Sequence, residues 1–217
     1  MSNVSLEFLT QQLDLAEQLR AGRDAMFDPQ DLPGRYGRVV QAIDRVLQAI
    51  DCPAVVGGGW AVWRHGFVAR VTQDIDIVLP ADRLGEFLRV AAVSGFAVLP
   101  TPPGRWPKLQ HNESDLAVDI LPEGERPGTS SQPAPTTIRH PAQMGGAGNA
   151  LRYVDLAALV ELKLAAGRLR DEFDVTELIR ANADQIDSMR RHLESIHPAY
   201  AERFDRLVER ARQQDEP

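Results

Sequence analysis

The seven residues Gln73-Asp74-Ile75-Asp76-Ile77-Val78-Leu79 constrain this chain more than any other stretch. The alternation of acidic and apolar side chains over residues 74–77 is that of a β-strand, so Asp74 and Asp76 project from one face while Ile75, Ile77 and Leu79 bury the other. Two carboxylates about 7 Å apart on one strand repel each other, and a divalent cation between them removes the penalty. Acid pairs at alternate positions also occur on plain solvated strand faces, so the reading turns on what lies nearby.

Upstream, the apolar run Ala54-Val55-Val56 meets Gly57-Gly58-Gly59 and then a short helical stretch from Trp60 to His65. A buried strand ending in a glycine turn that opens a helix, with Gly58 and Gly59 leaving backbone N–H groups unhindered, suits a phosphate. Downstream, Leu116, Val118 and Ile120 share one parity, and Ala117 and Asp119 share the other. If this strand neighbours the first, Asp119 completes a three-carboxylate cluster of the kind that two-metal phosphoryl and nucleotidyl transfer requires. Asp115 has the same parity as Asp119 but sits at the strand's entry.

The rest of the chain supplies the frame. Residues 5–22 and the spacing of Val39, Val40, Ile43, Val46, Leu47 and Ile50 predict N-terminal helices over 1–50. An amphipathic helix follows at Leu84, Phe87, Leu88 and Ala91, then a strand at 96–99, giving an α/β core over 51–150. Trp60 and Trp63 are expected in the core. Trp106 and Lys108 are open to two readings, contact with nucleotide or acceptor, or an exposed edge strand. Residues 122–150 crowd Pro, Gly, Ser and Thr and read as a mobile loop near the site or a solvated linker. From an N-cap at Asp155 through Arg212 everything looks helical, so residues 151–217 form a C-terminal helical region. The expected fold class is α+β, a small mixed sheet with flanking helices and a C-terminal helical bundle. The five histidines lack ligand spacing and read as surface or capping residues.

Charge narrows the partners. Lys+Arg of 24 against Asp+Glu of 31 gives a net charge of −7, which argues against a broad basic footprint on nucleic acid but not against a local one. Cys52 stands alone, which excludes an internal disulfide framework and suits a reducing cytoplasm. No apolar run approaches the roughly 18 residues of a membrane span, so the expected location is cytoplasmic, with no membrane partner. Only Lys108 and Lys163 are lysines in an arginine-rich chain. Lys163 shares a helix stripe with Leu156, Leu159 and Val160 and so points inward, where an ammonium needs an anion. A nucleotide phosphate and an internal carboxylate such as Asp174 both qualify.

Val56-Gly57-Gly58-Gly59-Trp60-Ala61, Arg70-Val71-Thr72, Asp74-Ile75-Asp76-Ile77 and Val118-Asp119-Ile120-Leu121 together resemble the signature of the nucleotidyltransferase superfamily with the DNA polymerase β-like fold. The wording is similar to the minimal nucleotidyltransferases, including the abortive-infection toxins of toxin–antitoxin pairs. The resemblance covers residues 54–121 well and the Glu161 to Asp174 stretch more loosely. It implies catalytic and Mg²⁺-binding roles for Asp74, Asp76 and Asp119, with Asp119 accepting the proton of the attacking hydroxyl in a two-metal site. It further implies nucleotide binding by Gly58, Gly59, Arg70, Thr72, Lys163 and Asp174. The expected reaction moves an NMP from an NTP, such as ATP, to a hydroxyl of RNA (tRNA) or of a protein, with an antitoxin partner. The alternatives are a small-molecule, antibiotic-type nucleotidyltransferase and a non-catalytic nucleotide-binding module of the same fold.

Overall fold

Alternation and helical spacing both materialise, in a computed structural model that describes residues 27–214 apart from 71, 103 and 130. The helix expected over 5–22 lies outside the described residues. Helix α1 (Gly34–Ala49) buries Val39, Val40, Ile43, Val46 and Leu47, the stripe its sequence spacing draws. Strand β1 (Val55–Val56) runs into the glycine turn and α2 (Gly58–Arg64), and β2 (Asp74–Leu79) follows. Helix α3 (Leu84–Val93) leads to three strands, β3 (Phe96–Leu99), β4 (Lys108–His111) and β5 (Ala117–Pro122). A two-residue strand, β6 (Arg152–Tyr153), precedes four helices: α4 (Leu156–Ala166), α5 (Leu169–Ala181), α6 (Ile186–Ile196) and α7 (Pro198–Gln214).

The six strands form one mixed sheet in the order β3-β4-β5-β2-β1-β6. At its centre β2 and β5 run parallel with Asp76 opposite Asp119 and Asp74 opposite Ala117. Ile75, Ile77, Val118 and Ile120 are all fully buried on the other face. Each such side chain contributes about 1.5–3 kcal/mol of burial, so a one-residue slip that exposed this set is strongly disfavoured. The register that fills the core therefore also aligns the acids. Trp60 and Trp63 are buried as expected, with Trp60 edge-on to Tyr36 at 4.7 Å between ring centroids.

Three expectations are corrected. Lys108 lies not on an edge strand but on β4, which is hydrogen-bonded to β3 on one side and β5 on the other. The described residues of 122–150 are anchored to the fold rather than strung out as a solvated linker. Ala134, Ile138 and Met144 are buried, the Gly124 N–H donates to the Ile138 carbonyl and the Ile138 N–H to the Glu125 carbonyl, and Arg126 donates to the carbonyls of Ala134 and Pro135. Its composition forbids regular structure but not a pinned strap. Among the histidines, His140 and His197 do cap, accepting from the N–H of Ala142 and Ala199. His111, however, is buried against Phe96 and Ser114, and His192 binds Glu161.

Helices α4 to α7 pack on one another as the expected bundle, and α4 also touches α2, so the bundle sits beside the glycine turn. Among the described residues no helix is long and apolar enough to cross a membrane.

Candidate active site

The glycine turn and the acid strand are built as one unit. The Gly57 N–H donates to the Asp76 carbonyl at 2.8 Å, tying the turn to β2. Gly58 has φ +57°, and a Cβ there would lie 1.6 Å from Asp76 Oδ2; a Cβ on Gly59 would lie 2.5 Å from the Thr72 side chain. Only glycine allows both the left-handed backbone and this approach of main chain to carboxylate. Thr72, itself anchored by the Tyr36 hydroxyl donating to its carbonyl, donates from Oγ1 to Asp74 Oδ1 at 2.8 Å. Each acid of β2 is thus held from behind by the turn that precedes it.

Asp74, Asp76 and Asp119 open into a cleft of about 330 Å³ between the sheet and the α4–α5 corner. Gly58 and Gly59 form one wall. Arg70, Lys163, Arg168 and Arg170 bring positive charge to the other. Seven of the nine residues implicated by the sequence therefore meet in one place. Thr72 and Asp174 stand behind them, Thr72 supporting Asp74 and Asp174 fully buried beneath the cationic wall.

That wall rests on a chain of ion pairs. Arg70 Nε donates to Asp174 Oδ1 at 2.9 Å, Lys163 Nζ lies 2.6 Å from Asp174 Oδ2 and 3.2 Å from Asp171 Oδ1, and Arg168 Nε lies 2.7 Å from Asp171 Oδ2. Of the two anions open to Lys163 in the sequence, the internal carboxylate is the one it binds. Burial works to raise the Asp171 carboxyl, but the Arg168 hydrogen bond and the Lys163 charge outweigh it and hold it below the usual range. Asp171 escaped the sequence reading although it lies one helical turn before Asp174, on the same face of α5. Arg168 and Arg170 carried no signal, because arginine is everywhere in this chain.

The acids themselves are in tension. Burial, reinforced by the negative charges of Asp74 and Asp119, pushes the Asp76 carboxyl up to about 7. Asp119 turns one oxygen to a cation, its Oδ1 lying 2.9 Å from Lys108 Nζ across the β4–β5 pair. Among the described residues no three His, Cys, Asp or Glu groups are gathered closely enough to grip a cation as a ready-made set. The donor chemistry nonetheless fits a hard divalent ion. Two like-charged carboxylates share one strand face with a third opposite, and the carboxyl of Asp76 is disfavoured as an anion in the way a cation corrects.

Residues 39–122, from α1 to the end of β5, match the model of the aminoglycoside-2''-adenylyltransferase family. That span holds the glycine turn, both acids of β2 and Asp119. The chain carries a nucleotidyltransferase core. The α+β architecture expected from the resemblance, a small mixed sheet with flanking helices and a helical bundle, is the one observed around this core. Two solved structures align with the nucleotidyltransferase chain. A crystal structure of ANT(2'')-Ia in complex with adenylyl-2''-tobramycin does so at 21% identity over 82% of this chain and 97% of that one, with a TM-score of 0.44. A solution structure of the antibiotic-resistance factor ANT(2'')-Ia aligns at 20% identity over 82% and 91%, with a TM-score of 0.43. No curated protein sequence matches the chain.

Proposed function

We propose that this nucleotidyltransferase moves a nucleoside monophosphate from an NTP, ATP first among them, to a hydroxyl of a small molecule of the aminoglycoside class. The observation that carries the reading is the family match over 39–122, which spans Gly58, Gly59, Asp74, Asp76 and Asp119 of the cleft. RNA or a protein as acceptor, with a toxin role and an antitoxin partner, were the leading expectations from the sequence. The match favours the small-molecule alternative over them. The non-catalytic alternative has the retention of all three acids against it.

In this reading Asp74 and Asp76 would hold Mg²⁺, which would supply charge neutralisation on the triphosphate and a more acidic acceptor hydroxyl, and Asp119 beside them would take the proton of that hydroxyl. The cationic wall of Arg70, Arg168 and Arg170 balances the phosphate charge, while the glycine turn lets backbone approach it. The acceptor O–H bond breaks as its oxygen bonds to the α-phosphorus, the proton passes to an Asp119 carboxylate oxygen, and the bond from α-phosphorus to the bridging oxygen breaks to release pyrophosphate.

The test is incubation of the wild type and Asp76→Ala with each α-labelled NTP, Mg²⁺, and in turn an aminoglycoside panel, total tRNA, or no acceptor. Label on an aminoglycoside with the wild type alone is the expected result. Label on tRNA or on the protein itself would overturn the acceptor assignment, and nucleotide binding without any transfer would overturn the enzyme.

A further inference from the structure

Across the cleft face of the sheet, one line of paired positions reads Lys108 on β4, Asp119 on β5, Asp76 on β2 and then the glycine turn bonded to Asp76. Lys108 stands at the outer end of this row, with its ammonium 2.9 Å from Asp119 Oδ1. Its side chain is 41% exposed and that of Asp119 31%. The engaged oxygen, Asp119 Oδ1, is itself closed to water and has no other partner among the described residues, so the Lys108 ammonium is the charge that answers it.

The choice of cation matters. The chain spends arginine almost everywhere and keeps lysine at two positions, and both lysines bind carboxylates that line the cleft, Asp119 and Asp171. A guanidinium beside Asp119 would fork onto both carboxylate oxygens, whereas an ammonium is a point donor that engages one and leaves the other. Here the engaged oxygen is Oδ1.

We infer that Lys108 is a positioning residue for Asp119: it fixes the carboxylate by one oxygen, withholds that oxygen from the cation site of β2, and leaves the second oxygen to accept the proton of the attacking hydroxyl. The inference rests on the role given to Asp119 under the proposed function.

Two measurements on Lys108→Met and Lys108→Arg test it. In steady-state transfer, both substitutions lower kcat by roughly 10- to 100-fold with the KM for NTP little changed, as expected when a supporting partner of a working group is lost. Charge alone does not rescue, because the arginine occupies both oxygens. In Mn²⁺ titration of the NTP-free protein, which needs no activity, Lys108→Met binds the ion several-fold more tightly than wild type because Asp119 becomes free to join it. The gain disappears when Lys108→Met is combined with Asp119→Asn, and Lys108→Arg shows none.

Full activity in Lys108→Arg, or a Mn²⁺ gain that persists in the Asp119→Asn background, would show that the lysine acts only as a nearby charge and overturn the inference. If the wild type transferred to no acceptor, the proposed function would fail by itself, and the Mn²⁺ cycle would still decide whether Lys108 restrains Asp119.

Discussion

At Gly58 a single missing methyl group decides the site. With φ at +57° and Asp76 Oδ2 where a Cβ would stand, Gly58→Ala costs about 1 kcal/mol of backbone strain and also displaces the carboxylate. A displacement near 1 Å at a reacting centre is worth on the order of 100-fold in rate. Labelled NMP transfer should therefore fall by about that factor while the thermal midpoint drops only a few degrees. Asp76 makes a prediction of the opposite kind. Its carboxyl sits at about 7 in the folded protein, above the ordinary carboxylate value, so the folded chain binds more protons than the unfolded one between those limits. Metal-free stability is therefore highest below the ordinary value and falls as pH rises toward 7. In EDTA at pH 8, Asp76→Asn should melt higher than wild type. The gain is roughly 1–2 kcal/mol once solvent in the cleft is allowed for, and it vanishes near pH 4. With saturating Mg²⁺ the order should reverse, since the ion stabilises only the protein that binds it. Wild type melting higher at pH 8 without metal would contradict the charge tension at this strand.

Among the elements, the corner between α4 and α5 has to place Lys163 between Asp171 and Asp174, and it does so through Gly167, whose φ of +71° ends α4. Lys163→Met leaves two buried carboxylates with less compensation and should cost about 3 kcal/mol, read as a lower urea midpoint at unchanged slope. Adding Asp174→Asn should return part of the loss. Activity lost in Lys163→Met is thus partly a matter of stability, and the double variant separates the two. Sequence spacing read the long elements well: α1, α3 and the strands at 74–79 and 96–99 appear where the periodicity puts them. The strand that goes unread is β6, whose two residues carry no period. For β4, Lys-Leu-Gln-His, a strand is one of two readings, and the alternation is too brief to place it inside the sheet rather than at its edge.

Over the whole molecule, the strap of residues 122–150 joins the sheet to the bundle. Arg139 donates from Nε and Nη2 to both oxygens of Glu161 on α4, at 2.7–3.1 Å, and His192 of α6 completes the cluster at 2.8 Å from Glu161 Oε2. Tyr200 of α7 and Thr136 of the strap lie in hydrogen-bond contact at 2.8 Å. Since Glu161 is two residues before Lys163, the strap braces the helix that carries the cationic wall. Arg139→Ala should speed amide exchange in residues 134–143 and in α4 while α1 and β2 keep their protection, measured by hydrogen–deuterium exchange. Protection lost evenly through the chain would instead mark the strap as part of the global core.

The local order of this protein was legible from residues alone because it depends on near neighbours. Alternation puts Asp74 and Asp76 on one face, and the glycines announce a tight turn before them. The charged partners were not legible, because a side chain's partner depends on which elements the packing brings together. Nothing in the sequence says that Lys108 lies opposite Asp119, since that pairing needs β4 inside the sheet. For Lys163 the sequence offers Asp174 beside a phosphate, and the packing alone chooses the carboxylate and adds Asp171 to it. Composition also misreads the strap, where buried Ile138 and Met144 and two arginines, Arg126 and Arg139, outweigh the prolines around them. Periodicity is a property of a segment and can be read along the chain. Electrostatic pairing across the cleft is a property of the packed molecule, and folding alone settled it.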